Sequence, residues 1–188
     1  METRVTYFAQ RGKVNTKAVF ELARRRALEL GITQIVVPST GGAMALMAPE
    51  ELSGLDVIVV SHSTGFTEPW HQEMPASVVE DVQKKGARVV TATHAFGGVG
   101  RSVRKKFGTW EVEEIIAQTL KRLGEGVKVA VEVSLMAADA GTLKQHSEII
   151  ALGGTGRGLD TALVLRPTHA QTFFDLEILE IICKPRQP

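Results

Sequence analysis

Apolar residues follow two patterns along this chain, one typical of helices and one typical of buried strands. From Thr16 to Leu30 the apolar side chains recur every three or four residues, with Asn15 before the stretch and Gly31 after it. Elsewhere, short β-branched runs predict three strands, at Gln34–Pro38, Asp56–Ser61 and Ala87–Thr93. Helix-compatible stretches, through Glu51 and from about Pro75 to Lys85, follow the first two runs, so strand and helix are predicted to alternate.

The second half of the chain continues this alternation, with one ambiguous segment. Trp110–Leu123 has apolar residues at helical spacing. Val127–Ala140 begins with valines at every second position, as in a strand, but its length and the glycine that ends it favour a helix. Three further strands are predicted, at Glu148–Leu152, Thr161–Arg166 and Leu176–Cys183.

The predicted strands are continuous apolar runs, which is the pattern of strands buried on both faces. Because helices separate them, they are predicted to form a mostly parallel sheet with helices on both sides, a three-layer α/β/α sandwich. No linker, repeat or low-complexity segment interrupts residues 1–188, so we expect a single domain.

Composition excludes several classes of partner. The 22 basic and 21 acidic residues give a net charge of +1, so neither nucleic acid nor an anionic membrane is an expected partner. The polar N-terminus lacks an apolar signal core, and no apolar run approaches the ~20 residues that cross a bilayer, so a cytoplasmic location is expected. Cys183, the only cysteine, follows two isoleucines and is expected to be buried.

Three segments resemble the C-terminal domain of pyruvate kinase. Val127–Gly141 and Glu148–Gly156 are similar to the part of that domain where a helix leads into a strand and a phosphate-binding loop. Ile35–Gly42 is similar to its first strand and turn. The combination of three other segments is more similar to a group of stand-alone archaeal and bacterial pyruvate kinase alpha/beta domain proteins: Val60–Phe66, Gly153–Gly158 and Ile181–Pro185.

The resemblance implies a core sheet of about five strands in the order three-two-one-four-five, with the last core strand antiparallel. For the stand-alone group it implies flavin mononucleotide (FMN) as the ligand. Pyruvate kinase performs its chemistry in a separate barrel domain of roughly 200 residues or more, for which this chain has no room. No pyruvate kinase activity is therefore expected.

In that strand order, the sequence of strands across the sheet reverses between the first and fourth strands, and ligands of open parallel sheets bind beyond the carboxyl ends of strands at such a point. The turns after these two strands are both rich in glycine, and the glycines would let backbone N–H groups approach a phosphate. Ser39 and Thr40 add hydroxyl groups, and a helix beginning near Ala43 would direct its positive end at the anion. The alternative is that the glycines only make tight turns. The pairing of the turns favours binding.

Arg157 is the cation of these turns and is expected to contact the anionic or electron-rich part of the ligand, unless it points to solvent or pairs with Asp160. A third loop, which leaves the second strand at the same edge, is expected to complete the site. The predicted binding residues are Ser39, Thr40, Gly41, Gly42, His62, Ser63, Thr64, Gly65, Phe66, Gly153, Gly154, Thr155, Gly156 and Arg157.

Two histidines follow predicted strands at this edge and could contact a ring or exchange a proton near neutral pH. The alternative, a loop histidine bonded to backbone, is favoured for His94 and equally open for His62. A zinc site formed with His71 is not favoured, because the spacing matches no known metal pattern. Gly97–Lys106 could bind phosphate or a nucleic acid backbone, but is interpreted as a mobile, solvated loop over the crevice.

The residues support binding of a phosphorylated small molecule, and only the resemblance supports FMN. The alternatives are a regulatory module that senses a sugar phosphate, a flavin-dependent oxidoreductase, and an oligomerisation domain without a ligand. Whether the chain is an enzyme stays open. A homo-oligomer is expected because the strand-like tail Phe173–Cys183 carries more apolar groups than one sheet face can hide.

Overall fold

The computed structural model describes residues 2–187, which form one seven-stranded sheet and six α-helices. The strands are β1 (Thr6–Phe8), β2 (Gln34–Pro38), β3 (Asp56–Ser61), β4 (Arg88–Thr91), β5 (Ile149–Gly153), β6 (Thr161–Arg166) and β7 (Glu177–Pro185). The helices are α1 (Thr16–Leu30), α2 (Ala43–Glu51), α3 (Ala76–Lys84), α4 (Gly98–Phe107), α5 (Val112–Leu120) and α6 (Glu125–Asp139).

The strand order is β1-β7-β6-β5-β2-β3-β4. Its central part, β4-β3-β2-β5-β6, is the order three-two-one-four-five that the resemblance implies, and β6 runs antiparallel to β5 as expected. The sheet is wider than the expected five strands, because β7 pairs antiparallel with β6 and β1 pairs parallel with β7. The parallel strands β5, β2, β3 and β4 end at one edge of the sheet.

Both faces of the sheet are buried, which explains why its strands are apolar at consecutive positions. In β2, Ile35 and Val37 pack in the core on the side of α1 and α2, whereas Val36 packs in the core on the side of α6. Helices α1, α2 and α3 cover the first face and helices α5 and α6 cover the second. The three-layer sandwich is confirmed.

The ambiguous valine-rich segment is the helix α6, as its length predicts. Eleven of its fifteen residues are buried, from Gly126 to Ala138, because α6 packs on the middle of the sheet beneath β2, β5 and β6. The alternating valines therefore belong to a helix that is buried on most sides, and not to a strand with one solvent-exposed face.

Two predicted segments differ from the structure. Gly97–Lys106, interpreted as a mobile loop, contains most of α4. Gly97 precedes this helix and Gly108 follows it. An ion pair of 2.7 Å between Arg104 and Glu114 connects α4 to α5. Glycines inside the helix hide its pattern in the sequence. The tail also starts differently, since Phe173 and Phe174 lie in a 3₁₀ turn over Ala170–Asp175 and the strand begins only at Glu177.

The buried cysteine is confirmed. Cys183 in β7 has no exposed surface, and this burial raises the pKa of its thiol to about 12. The thiol therefore stays protonated at neutral pH. Among residues 2–187, none of the helices is both long and apolar enough to cross a membrane.

Candidate functional site

A cavity of about 700 Å³ opens at the carboxyl edge of the sheet. Its walls are the turns that follow β2, β3 and β5, together with one face of α6. This is the edge where the strand order reverses, as expected for a ligand site in such a sheet. Seven of the predicted binding residues line it: Ser39, Thr40, Gly41, His62, Phe66, Gly154 and Arg157.

The structure does not bring the remaining seven predicted residues to this cavity. Gly42, Thr64, Gly153, Thr155 and Gly156 lie outside its walls, while Ser63 and Gly65 line a second cavity next to it. The turn after β2 therefore contributes consecutive residues to the wall, Ser39 to Gly41, whereas the predicted residues of the other two turns that line it are separated along the chain.

The turn after β2 directs the start of α2 at the cavity. Ser39 Oγ accepts a hydrogen bond of 3.1 Å from Ala45 N–H, and Gly42 O accepts one of 3.0 Å from Leu46 N–H. The N–H groups of Ala43 and Met44 have no partner among the described residues, and both residues line the cavity. Two free backbone donors and the positive end of a nine-residue helix are available to an anion there.

The glycines of the turn after β5 serve backbone packing. A Cβ at Gly153 would lie 1.9 Å from Gly126 O at the start of α6, and one at Gly154 would lie 1.8 Å from Gly158 O. A Cβ at Gly158 would lie 2.3 Å from Lys13 Cα. Gly153 lies outside the cavity wall, and the absence of a side chain there is needed where α6 meets β5.

Arg157 lies at the rim of the cavity on an exposed turn, with a left-handed backbone conformation of φ 65°. Asp160 is fully buried and accepts hydrogen bonds of 2.8 Å from Gly12 N–H and from the Thr161 hydroxyl. The described structure therefore leaves Asp160 engaged with these groups rather than with Arg157. The guanidinium stands at the rim, where it can reach a ligand.

His62 is held from both sides. Its Nδ1 lies 2.7 Å from Glu73 Oε2, and its Nε2 lies 3.4 Å from the Thr40 hydroxyl. Glu73 also lines the cavity and comes from the loop between β3 and α3, which sequence reasoning did not select. A carboxylate on Nδ1 fixes the ring orientation, which is a property of a histidine that exchanges protons.

His94 does not bond to backbone as expected but joins an aromatic cluster. Its ring stacks on Phe66 at a centroid distance of 4.4 Å, and the His62 ring lies 5.0 Å from it. The Arg101 guanidinium lies 4.5 Å above the Phe66 ring. Two buried nitrogens of this cluster, His94 Nε2 and Arg101 Nε, have no hydrogen-bond partner within residues 2–187.

A buried carboxylate on α6 supports this cluster. Glu132 accepts a hydrogen bond of 3.2 Å from Phe96 N–H and one of 2.5 Å from Lys128, and lies 3.7 Å from His94 Nδ1. Burial by itself raises the pKa of Glu132, but the contacts with His94 and Lys128 outweigh it and lower that pKa to about 2.

Sequence reasoning missed Glu132 and Lys128, although a signal was present. The two residues stand four apart in a helical stretch in which they are the only charged residues from Val127 to Ala138. Charged residues at that spacing in a buried helix face the same way and indicate a polar contact inside the protein. Both residues line the cavity.

Comparison with protein-family models identifies the family of this chain. Residues 17–165 match the model of the family described as pyruvate kinase, alpha/beta domain. Among solved structures, the chain is similar to a pyruvate kinase from Cryptosporidium parvum at 13% identity, with a TM-score of 0.43. That match covers 81% of this chain and 22% of the pyruvate kinase chain, so the chain spans about a fifth of the length of that enzyme. The family match extends over most of the sheet and of the cavity wall, and the chain belongs to the pyruvate kinase alpha/beta domain family.

Proposed function

We propose that this chain binds a phosphorylated small molecule that carries a planar ring, with FMN as the first candidate. The observation that carries the proposal is the composition of one cavity wall. The anion-binding end of α2 and a cluster of imidazole and phenyl rings face the same space of about 700 Å³. That volume is within the roughly 300–1,000 Å³ of small-molecule sites.

The phosphate would lie where β2 ends. The free N–H groups of Ala43 and Met44 and the Thr40 hydroxyl are donors at this place, and the rim contributes the Arg157 guanidinium. Donors of this kind form charge-assisted hydrogen bonds to phosphate oxygens. The carboxylates of Glu73 and Glu132 are paired with His62 and Lys128, respectively.

The ring would lie against Phe66 and His94. The residues fit a flavin: Val133 and Met136 of α6 are apolar, and His94 Nε2, a buried ring nitrogen without a partner among residues 2–187, borders the cavity. A flavin ring combines an apolar body with polar edges, which matches this mixture. Bound FMN would supply reversible two-electron chemistry, while these residues would orient the ring and exclude water from it.

The absorbance spectrum of freshly purified protein is the first test, and a flavin spectrum that persists through desalting is expected. Titration of the colourless apoprotein with FMN and riboflavin tests the phosphate contact. Arg157→Gly removes the guanidinium at a backbone conformation that glycine prefers, so folding is preserved. Because this variant loses one charged hydrogen bond, worth about 1.5–3 kcal/mol, the variant should bind FMN roughly ten- to a hundredfold more weakly than the wild type.

Arg25→Ala is the matched control, because Arg25 is an exposed cation of α1 that does not line the cavity, and it should bind FMN like the wild type. Equal affinity of the wild type for FMN and riboflavin would contradict a phosphate site. Saturable binding of a sugar phosphate, with no binding of FMN or riboflavin, would contradict the flavin proposal and would support a regulatory module that senses a sugar phosphate.

A second candidate function, a flavin-dependent oxidoreductase, is favoured by the His62–Glu73 contact of 2.7 Å beside the ring cluster. A histidine held in this way can give or take a proton at a ligand in the cavity. The test is anaerobic mixing of FMN-loaded protein with NADH or NADPH. Bleaching faster than that of free FMN, and slower in His62→Asn, is expected. Bleaching at the rate of free FMN would refute this candidate.

A further inference from the structure

A second cavity of about 460 Å³ adjoins the first and is built differently. Its walls come from the loop after β3, the segment after β4 and the first two turns of α4. The basic side chains of this wall are His94, Arg101 and Lys105. Within the described chain, no aspartate or glutamate belongs to it.

The two cavities share a wall made of three side chains, Phe66, His94 and Arg101. The Phe66 and His94 rings are nearly parallel, with an interplanar angle of 24°, and the Arg101 guanidinium lies over Phe66. Stacking on a ring fixes the plane of a guanidinium, so its N–H groups are directed before any ligand arrives.

The shared wall holds a donor that the protein itself does not use. Arg101 Nε–H is buried and has no acceptor among residues 2–187. A buried donor left without an acceptor destabilises the protein, so an acceptor supplied by a ligand would recover this free energy. Arginine has no other protonation state with which to avoid the cost.

Charge selects the class of that ligand. Arg101 and Lys105 both line the second cavity, together with the hydroxyl groups of Ser63, Thr93 and Ser102. Two cations and three hydroxyl groups, without a carboxylate from the described residues, match the oxygens of a small anion.

We propose that the second cavity binds a small molecule bearing a carboxylate or a phosphate, next to the ligand of the first cavity. Arg101 holds the oxyanion with its guanidinium plane, and Lys105 neutralises its charge from the solvent side. The two ligands then meet at the wall formed by Phe66, His94 and Arg101, so the site takes two ligands at once. The second site stands on its own contacts and does not require that the first ligand be FMN.

Calorimetric titration of the purified protein with oxalate and with inorganic phosphate tests this proposal. Oxamide, which has the size of oxalate without its charge, serves as the uncharged probe. We expect saturable one-to-one binding of at least one anion and none of oxamide. Preference for oxalate would identify a carboxylate as the group recognised, and preference for phosphate would identify a phosphoryl group.

Substitutions assign that binding to one cavity. Lys105 lines only the second cavity, and Lys105→Gln should weaken anion binding roughly three- to tenfold, whereas Arg101→Gln should weaken it roughly ten- to a hundredfold. Lys106→Gln is the control, because Lys106 lies next in α4 but lines neither cavity, and it should bind like the wild type.

Arg157→Gly, which alters only the first cavity, should leave oxalate binding unchanged even where it weakens FMN binding. Absence of FMN binding would therefore contradict the proposed function alone. Absence of anion binding that depends on Lys105 would contradict the second site alone. Two results would overturn the second site: no saturable anion binding at millimolar concentration, or anion binding that Arg157→Gly abolishes and Lys105→Gln and Arg101→Gln leave unchanged.

Discussion

Substitutions at two glycines, Gly41 and Gly154, should separate the effect on ligand binding from the effect on folding stability. Gly41 and Gly154 both line the first cavity, and from sequence both are expected to serve the ligand. Their surroundings differ. A Cβ at Gly154 would lie 1.8 Å from Gly158 O and 2.8 Å from Leu159 Cα, whereas the nearest atom to a Cβ at Gly41 is Glu73 O at 3.9 Å.

The Gly154→Ala substitution should therefore destabilise the fold. An ordinary contact begins at 3.4 Å, so the backbones at Gly154 and Gly158 must separate by about 1.6 Å. Because both partners are backbone, rotamer changes cannot absorb this movement, and we expect a loss of about 3 kcal/mol. For a domain of this size that loss lowers Tm by roughly 6–12 °C.

The Gly41 variants should instead keep stability and lose affinity. Gly41 has no left-handed φ and no close neighbour, so Gly41→Ala should change stability by no more than about 1 kcal/mol, in the stabilising direction. The bulkier Gly41→Val should weaken FMN binding about tenfold or more, because its side chain crowds the start of α2.

Thermal melting by circular dichroism and FMN titration of the folded variants are the two assays. A melting temperature of Gly154→Ala within about 2 °C of the wild type would refute the packing argument for this turn. Undiminished FMN affinity in Gly41→Val would refute the placement of the phosphate at α2.

Three further predictions concern acid stability, assembly and activity. Glu132 has a pKa of about 2 in the fold against 4.5 unfolded, so its stabilisation, on the order of 3 kcal/mol, is complete above pH 4.5 and is lost as the pH falls toward 2. Urea unfolding across this range should show a shallower pH dependence for Glu132→Gln, and equal slopes would contradict the assignment. Light scattering at micromolar concentration should give the mass of a homo-oligomer, since Phe174 is 89% exposed and Ile178 and Leu179 are partly exposed; a monomer mass would count against it. The 188-residue chain should transfer no phosphate from phosphoenolpyruvate to ADP, and pyruvate formation that survives repurification would overturn this.

The sequence by itself determined the layered fold, because each layer has a local signature. Consecutive apolar residues in β2 and β3 require burial on both faces, and the helical spacing in α1 requires a surface to pack on. The carboxyl edge of the sheet follows from strand direction, and the strand order came from the resemblance. The location of the cavity was therefore predictable, as were Thr40, Gly41, His62 and Arg157 in its wall.

Only the tertiary structure decided which side chains share that cavity. Glu132, which pairs with Lys128, is adjacent to His94 because α6 lies across the sheet, and no spacing in the sequence brings residues 94 and 132 together. The same holds for Gly153, whose partner Gly126 is distant in sequence. The stretch 98–107 became a helix through contacts with α5, including Arg104–Glu114, which outweigh the low helix propensity of its glycines. Long-range packing sets these contacts, and a local pattern carries no information about the partner that completes them.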